Sequence, residues 1–472
     1  MLVTGYWMEL GIFFYNGGDF MKDFRGYLKI LRGKNDIVDI EDEVDPIIEI
    51  GKIQKGYDGK KTVFFRNIKG YDIPIVSNIF HKKENIAEAI GTELENIKDK
   101  IMRAVENPLN TIIVEHGPVH EVVITEGIEP LELLPIPKHY KKDNVRYITS
   151  GVILAKDPET GIRNLSFARM KVNEDNRINI MINRERHLMR YFLKAEKMNR
   201  PLEVAIIIGA HPALWFEGAM PDGLVMDDMD EMNIASGLVG EPFELVRGKT
   251  IDLEYPANSE IVIEGKIIND VREDEGPFGD YSGVYDAPPR QNPVIEISAI
   301  VMRSDAIYHD LLPHTIEHFF LGGIPREADL LKRAKVAVPS IKDIHLTPGG
   351  CSRFHAVVQL KKGAESEPNH AIVATLFPTE SARDIKVVVV VDDDIDIYSP
   401  SDVEWAIATR VQWHKDIFVI NNMEGLLDPS AISNTSASIL ERNEILTSKV
   451  GIDATIPLGQ PDLVGLYERV GF

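Results

Sequence analysis

The spacing of apolar positions divides the chain into stretches of different period. Over residues 21–115, helical and strand patterns mix. Phe24 to Leu31 has the 3.6-residue period of an amphipathic helix, and so do Glu84–Ile90 and Glu95–Ala104; Lys61–Asn67 alternates as a short strand. Over 116–312 the period falls mainly to two. Glu121–Ile124, Tyr147–Leu154, Leu165–Val172, Leu202–Ile208, Ile261–Ile267 and Val294–Met302 read as strands punctuated by Gly and Pro. One helix interrupts them at Arg184–Met198, with Leu188, Phe192 and Ala195 on one face. A connecting helix is expected over 313–335. Beyond it, strands and helices alternate. Lys386–Val391 is apolar and β-branched, as a buried parallel strand requires. Ser399-Pro400 starts a helix with a capping hydroxyl and a proline in the first turn.

The expected fold is therefore mixed, α+β then α/β, and multidomain. The segments are an upstream extension at 1–20, an α+β domain at 21–115, a β-rich barrel or layered domain at 116–312, a linking helix within 313–338, and an α/β domain and tail at 339–472. Residues 1–20 are apolar but carry Glu9 and Asp19 and no Lys or Arg, a poor secretion signal. Met21 opens a convincing domain start.

Composition narrows the function. A net charge of −22 over 472 residues disfavours nucleic acid and anionic membrane surfaces as partners. Cys351 is the only cysteine, which excludes a disulfide framework and a cysteine-built metal site. Without a disulfide framework a cytoplasmic protein is expected, and no apolar run reaches the length of a membrane helix. Five glutamines beside abundant Lys, Glu and Ile suit a thermophile. Neither a Walker A loop nor a GxGxxG turn is present.

Glu275-Gly-Pro-Phe-Gly-Asp280-Tyr-Ser-Gly283 is the most informative stretch. Two carboxylates bracket a turn in which Pro277 fixes φ and the glycines open conformations closed to other residues. Such a turn holds two acids at a set separation, the usual source of one proton donor and one ionised partner. A surface turn in an acidic protein would use the same residues. Asn164, His187 and Glu231 offer the mixed N and O donors that suit a divalent cation, though each alone has an ordinary explanation. In a strand through 164–169, Arg169 lies opposite Asn164, Ser166 and Ala168. Asp392-Asp393-Asp394 invites a metal reading, but solvated carboxylates at a strand end are preferred.

Taken together, Asn164…Ala168-Arg169, His187, Glu231, Glu275–Asp280, Lys386…Asp392-Asp393-Asp394-Ile395-Asp396 and Ser448–Thr455 resemble the UbiD family of prenylated-FMN-dependent decarboxylases, in order and in spacing, from about Met21 to about Asp462. The resemblance implies a split β-barrel holding the flavin and a C-terminal α/β domain used in oligomer contacts, a dimer or hexamer. It implies that Asn164, His187 and Glu231 bind Mn²⁺ with K⁺ nearby, and that the metal bridges to the cofactor phosphate. Thr149, Phe167, Ala168, Arg169, Arg186, His187 and Lys386 are the implied cofactor contacts, with Lys386 on the phosphate and no distinct role for Arg186. Arg169, Glu275 and Asp280 match the catalytic trio; many members have Glu where this chain has the shorter Asp280. The implied reaction is decarboxylation of an α,β-unsaturated or aromatic acid, and a separate flavin prenyltransferase supplies the cofactor. The composition looks archaeal, which favours trans-anhydromevalonate 5-phosphate as substrate over an aromatic acid such as 4-hydroxy-3-polyprenylbenzoate. A Mn²⁺ hydrolase and a flavin carrier are the rivals outside the class; a carrier would not need the trio. His314, Glu317, His318 and Arg326 are possible pocket residues, with ordinary helix and loop positions the simpler reading.

Overall fold

The computed structural model describes residues 23–285, 289–377, 379–431, 446–459 and 467. The extension at 1–20 and the expected start at Met21 lie outside the described residues. Asp23 caps the first helix, Phe24–Gly33, by accepting from the Gly26 N–H at 2.8 Å. Phe24, Tyr27, Leu28 and Leu31 form its buried stripe, the spacing seen in the sequence. The two further helices form at Lys83–Ala89 and Ile97–Glu106. Strand Thr62–Ile68 pairs in parallel with Ile37–Val44 and antiparallel with Ile75–Ser77. The fourth strand of this sheet, Tyr308–His309, comes from far along the chain and ties the first layer to the central one.

The central sheet has nine strands. Its path runs Tyr147–Ile148, Met170–Val172, Arg177–Ile180, Arg290–Met302, Ile261–Glu275, Leu202–Ile208, Val152–Lys156, Arg163–Phe167, with Val122–Ile124 added beside Arg290–Met302. Two segments expected as unbroken strands are each interrupted. Tyr147–Leu154 leaves the ladder at 149–151, and Leu165–Val172 leaves it at 168–169. Each segment thus supplies two strands to the same sheet, near opposite ends of its path, so the sheet curls back on itself. The break leaves backbone groups to be satisfied elsewhere. The Trp215 indole donates to Ser150 O at 2.9 Å, and the Ser150 hydroxyl donates to His309 O. Arg169 therefore sits in the break and not on a strand face, and the parity argument does not apply to it.

Ile316–Ala337 forms the long linking helix, capped by the Thr315 side chain. The C-terminal sheet runs Ile341–Leu346, His355–Leu360, Val387–Asp392, Leu446–Asp453, Ile417–Glu424, with the middle three strands parallel. Val388–Val391 are fully buried, as the β-branched run predicts. Ser399 caps Pro400–Arg410. Arg410 from that helix bonds Asp392 at 3.1 Å and Asp394 at 2.5 Å, so two of the three consecutive aspartates are paired rather than simply solvated. Among the described residues, no helix is long and apolar enough to cross a membrane.

Candidate active site

Arg169, Glu275 and Asp280 meet at the split in the central sheet. Ile261–Glu275 is longer than its apolar pattern and delivers Glu275 at its last residue, with 1% exposure. The turn then reverses through a cis Gly276–Pro277 peptide, with Gly276 at φ +99°, a region that favours glycine. Arg169 grips Glu275 with two parallel bonds, Nε to Oε1 at 3.0 Å and Nη2 to Oε2 at 3.1 Å, and its Nη1 donates to Asp280. Asn292 adds a bond to Glu275 Oε2 at 3.1 Å. The guanidinium lies 5.0 Å from the Phe278 ring centre. Burial disfavours the charge on Arg169, but Asp280 and Glu275 outweigh it and raise its pKa.

A cavity opens in front of this trio. Thr149, Phe167, Ala168, Arg169 and Arg186 line it, as does Asp280. His318 and Arg326 from the linking helix line it too, whereas His314 and Glu317 do not. Glu317 instead accepts the backbone N–H groups of Asn78 and Phe80 at 3.0 and 2.9 Å. The far wall, Arg353, Glu380, Arg383 and Asp384, comes from the C-terminal domain and carried no distinctive sequence signal. Lys386 is not in this wall. Its Nζ pairs with Asp428 at 2.9 Å and Ser430 at 2.8 Å, beside a separate and larger cleft of about 1560 Å³ between the N-terminal lobe, the linking helix and the C-terminal sheet. That cleft contains none of the trio.

The cavity's charge runs against that of the chain. Five arginines (169, 186, 326, 353, 383) and three carboxylates (280, 380, 384) line it. Glu380 accepts from Arg326 at 3.1 Å and from the Asp222 N–H at 2.7 Å, and lies 3.2 Å from Arg186. Burial works against its charge, yet Arg186, Arg326, Arg383 and Arg353 hold the carboxyl down at about 2. Arg326 shifts in the unfavourable direction, down to about 9, through burial and then Arg353, despite Glu380. The two partners differ because one carboxylate is shared among several guanidiniums. The geometry supports that reading: the Nε atoms of Arg326, Arg353 and Arg383 are buried without a hydrogen-bond partner. His318 lies 4.4 Å from the Tyr281 ring, and burial pushes its imidazole down to about 3, so it is neutral at pH 7.

Asn164, His187 and Glu231 come together just behind the cavity. Asn164 Nδ2 donates to Glu231 Oε1 at 2.6 Å, and His187 Nδ1 lies 3.2 Å from the same oxygen. Asp222 accepts the His187 N–H at 2.7 Å and fixes the start of helix His187–Lys197. Among the described residues, no three His, Cys, Asp or Glu side chains form a ready-made metal cage. The donor set nevertheless fits a hard divalent cation: an amide oxygen, an imidazole and a carboxylate, all buried. Nearby Glu217 is 1% exposed, with neither carboxylate oxygen hydrogen-bonded. Burial, and then Glu231, push its pKa well up, and a divalent cation would suit this orphaned carboxyl.

Three family models match in series, described as the N-terminal, Rift-related and C-terminal domains of 3-octaprenyl-4-hydroxybenzoate carboxy-lyase, at residues 28–105, 111–315 and 319–454. The chain belongs to the UbiD family. It is a UbiD-type decarboxylase, a carboxy-lyase, as the sequence resemblance implied. It is 38% identical over 424 residues to anhydromevalonate phosphate decarboxylase of Methanothermobacter thermautotrophicus, covering 90% of this chain and 95% of that one. The UbiD-class enzyme HmfF of Pelotomaculum thermopropionicum, in complex with FMN, superposes with TM-score 0.89 at 41% identity, over 95% of this chain and 97% of that one. An evolved dimeric form of HmfF with prenylated FMN gives TM-score 0.85 at 40% identity, over 96% and 97% of the two chains. Apo 3,4-dihydroxybenzoic acid decarboxylase (AroY) of Klebsiella pneumoniae gives TM-score 0.86 at 26% identity, over 96% and 97%. The FMN-bound neighbours support a flavin cofactor for this chain.

Proposed function

We propose that this UbiD-type decarboxylase uses prenylated FMN to decarboxylate an α,β-unsaturated acid bearing a second anionic group, with trans-anhydromevalonate 5-phosphate giving isopentenyl phosphate and CO₂ as the best-supported reaction. The observation that carries this reading is the number of arginines in the cavity wall: Arg186 and Arg383 also have Asp222 and Glu185 as partners, while Arg326 meets Glu380 and Arg353 lies over the Tyr281 ring. A carboxylate substrate alone does not account for it. A phosphate on the substrate and another on the flavin do, and guanidinium forks suit both. The anhydromevalonate phosphate relatives point the same way.

Asn164, His187 and Glu231 would hold Mn²⁺, with K⁺ nearby, and Arg186, next to His187 and in the cavity wall, would contact the cofactor. Thr149, Phe167 and Ala168 would flank the flavin at the break in the sheet, and Lys386 would reach its phosphate only by leaving Asp428. Arg326, Arg353 and neutral His318, which cluster around Tyr281, would take the substrate's distal anion. When bound, the prenylated flavin supplies the electron sink for the bond that breaks as CO₂ departs. Asp280 delivers a proton to the carbon that lost CO₂ and is reprotonated from water. Arg169, bonded to both Glu275 and Asp280, keeps the two acids in register. Phe278, Leu311 and Leu321 give the cavity its apolar wall.

An aromatic acid is the second reading, favoured by Phe167, Phe278 and Tyr281 in the wall and by the AroY likeness. Turnover separates the two. The chain is co-expressed with a flavin prenyltransferase, purified without oxygen and given either trans-anhydromevalonate 5-phosphate or 4-hydroxy-3-polyprenylbenzoate with Mn²⁺ and K⁺. Isopentenyl phosphate from the first supports the proposal. Turnover of the aromatic acid alone transfers the assignment to the second reading.

A further inference from the structure

The turn that carries Glu275 and Asp280 is gripped by a segment with no part in the reading above. Asp143, 3% exposed, accepts the Gly279 N–H through Oδ1 at 2.8 Å and the Tyr140 N–H through Oδ2 at 2.9 Å. Asn144 N–H donates to Pro277 O at 3.1 Å. The Tyr140 ring covers Gly279 so closely that any Cβ there would lie 2.6 Å from it. Tyr140 is itself anchored, its hydroxyl donating to Pro313 O at 2.6 Å, and the adjacent His139 meets Asp310 at 2.8 Å. Beyond the turn, Asp280 N–H donates to Val284 O at 3.2 Å.

We propose that Asp143 is a positioning residue for the reaction: by holding the Gly279 N–H it fixes the Phe278–Gly279 peptide, one residue ahead of the Asp280 peptide, and with it the point from which Asp280 delivers its proton. This rests on Asp280 being the proton donor. Burial raises the Asp143 pKa and the Gly279 and Tyr140 N–H groups lower it, and a carboxyl accepting from both is a directional restraint, strongest when ionised. Only the backbone torsions of Gly279 separate that peptide from Asp280, so slack in it is passed on to the acid. A displacement of about 1 Å at a reacting group costs on the order of 100-fold in rate.

Asp143→Ala, Asp143→Asn and Asp280→Asn are compared with the wild type by hydrogen exchange over residues 275–285 of the cofactor-free protein, and by kcat, KM, flavin content and solvent deuterium isotope effect of the loaded enzyme. For Asp143→Ala the expected result is faster exchange at Gly279 and a kcat lowered roughly 10- to 100-fold. KM and flavin content stay unchanged, and the isotope effect rises because proton delivery has become slower. Asp143→Asn keeps one acceptor oxygen and recovers much of the rate. Should Asp143→Ala fail to fold, the exchange rate and isotope effect of Asp143→Asn decide the same question, with values between wild type and full loss supporting it. Wild-type kcat with a released Gly279 N–H overturns the proposal. So does a kcat that falls in step with flavin content at an unchanged isotope effect. If Asp280→Asn turns over normally, the proton-donor reading fails by itself; if Asp280→Asn is dead and Asp143→Ala is normal, only the positioning role fails.

Discussion

Replacing Glu380 with Gln tests the charge balance of the cavity without touching the catalytic trio. Its carboxylate receives the Asp222 N–H at 2.7 Å and Arg326 at 3.1 Å, with Arg186 at 3.2 Å. The side chain is 13% exposed, so solvent screening is slight. In the folded protein its pKa is depressed from 4.5 to about 2. A folded pKa below the unfolded one contributes stability that is complete above the unfolded value and is lost as pH falls from about 4.5 towards 2. At about 1.4 kcal/mol per pKa unit, Glu380 ionisation contributes about 3 kcal/mol at pH 7. Glu380→Gln removes that term and leaves Arg326, already held down by burial, further from an anion. Thermal unfolding at pH 7 and low salt should show a drop of several degrees, on the order expected for a few kcal/mol. Because wild type loses the same contribution in acid, the gap should narrow as pH falls below 4.5. Inorganic phosphate should restore part of the loss by standing in for the missing carboxylate. An unchanged melting temperature at pH 7, or a gap as large at pH 3 as at pH 7, refutes the reasoning.

Further outcomes follow from the same geometry. Asp280→Asn should abolish turnover and retain flavin, measured by product formation and the flavin absorbance of the purified protein. Glu231→Ala should lose metal and flavin together, read by elemental analysis and flavin content, since the carboxylate ties Asn164 to His187. Arg326→Ala should raise KM for a phosphorylated substrate by roughly 10- to 100-fold, the loss of a charge-assisted bond of about 1.5–3 kcal/mol, with a smaller change in kcat. His318, held near 3, should add no step to the pH–rate profile between pH 5 and 8; replacing it with Gln should leave the profile's shape unchanged.

The sequence showed the elements whose pattern was strong and hid those fixed by long-range contacts. The β-branched run before Asp392 read directly as a buried parallel strand, because burial on both faces needs no alternation. Glu275 and Asp280 were legible because a Gly-Pro-Phe-Gly turn restricts the backbone between two acids. The breaks at 149–151 and 168–169 were not read, although Thr149-Ser150-Gly151 interrupts the first apolar run and the apolar positions change parity from Leu165 and Phe167 to Met170 and Val172 across the second. The pairing of Arg410 with Asp392 and Asp394 joins a helix end to a strand end across the fold, so the aspartates alone looked like a solvated run. Arg353, Glu380 and Arg383 were missed for the same reason. They lie on loops of a different domain from the trio, and no spacing in the chain marks them as its neighbours. Lys386 was expected at the flavin phosphate; the structure places it on Asp428, outside the cavity.

The central claim is that the cavity reads two anions on one substrate. It is tested most directly by comparing kcat/KM of the loaded enzyme for trans-anhydromevalonate 5-phosphate with that for the same acid bearing a hydroxyl in place of phosphate. Loss of a buried, charge-paired phosphate predicts a preference for the phosphorylated acid of roughly 100-fold or more. Equal efficiency for the two would contradict the claim and leave the arginine wall to the cofactor alone.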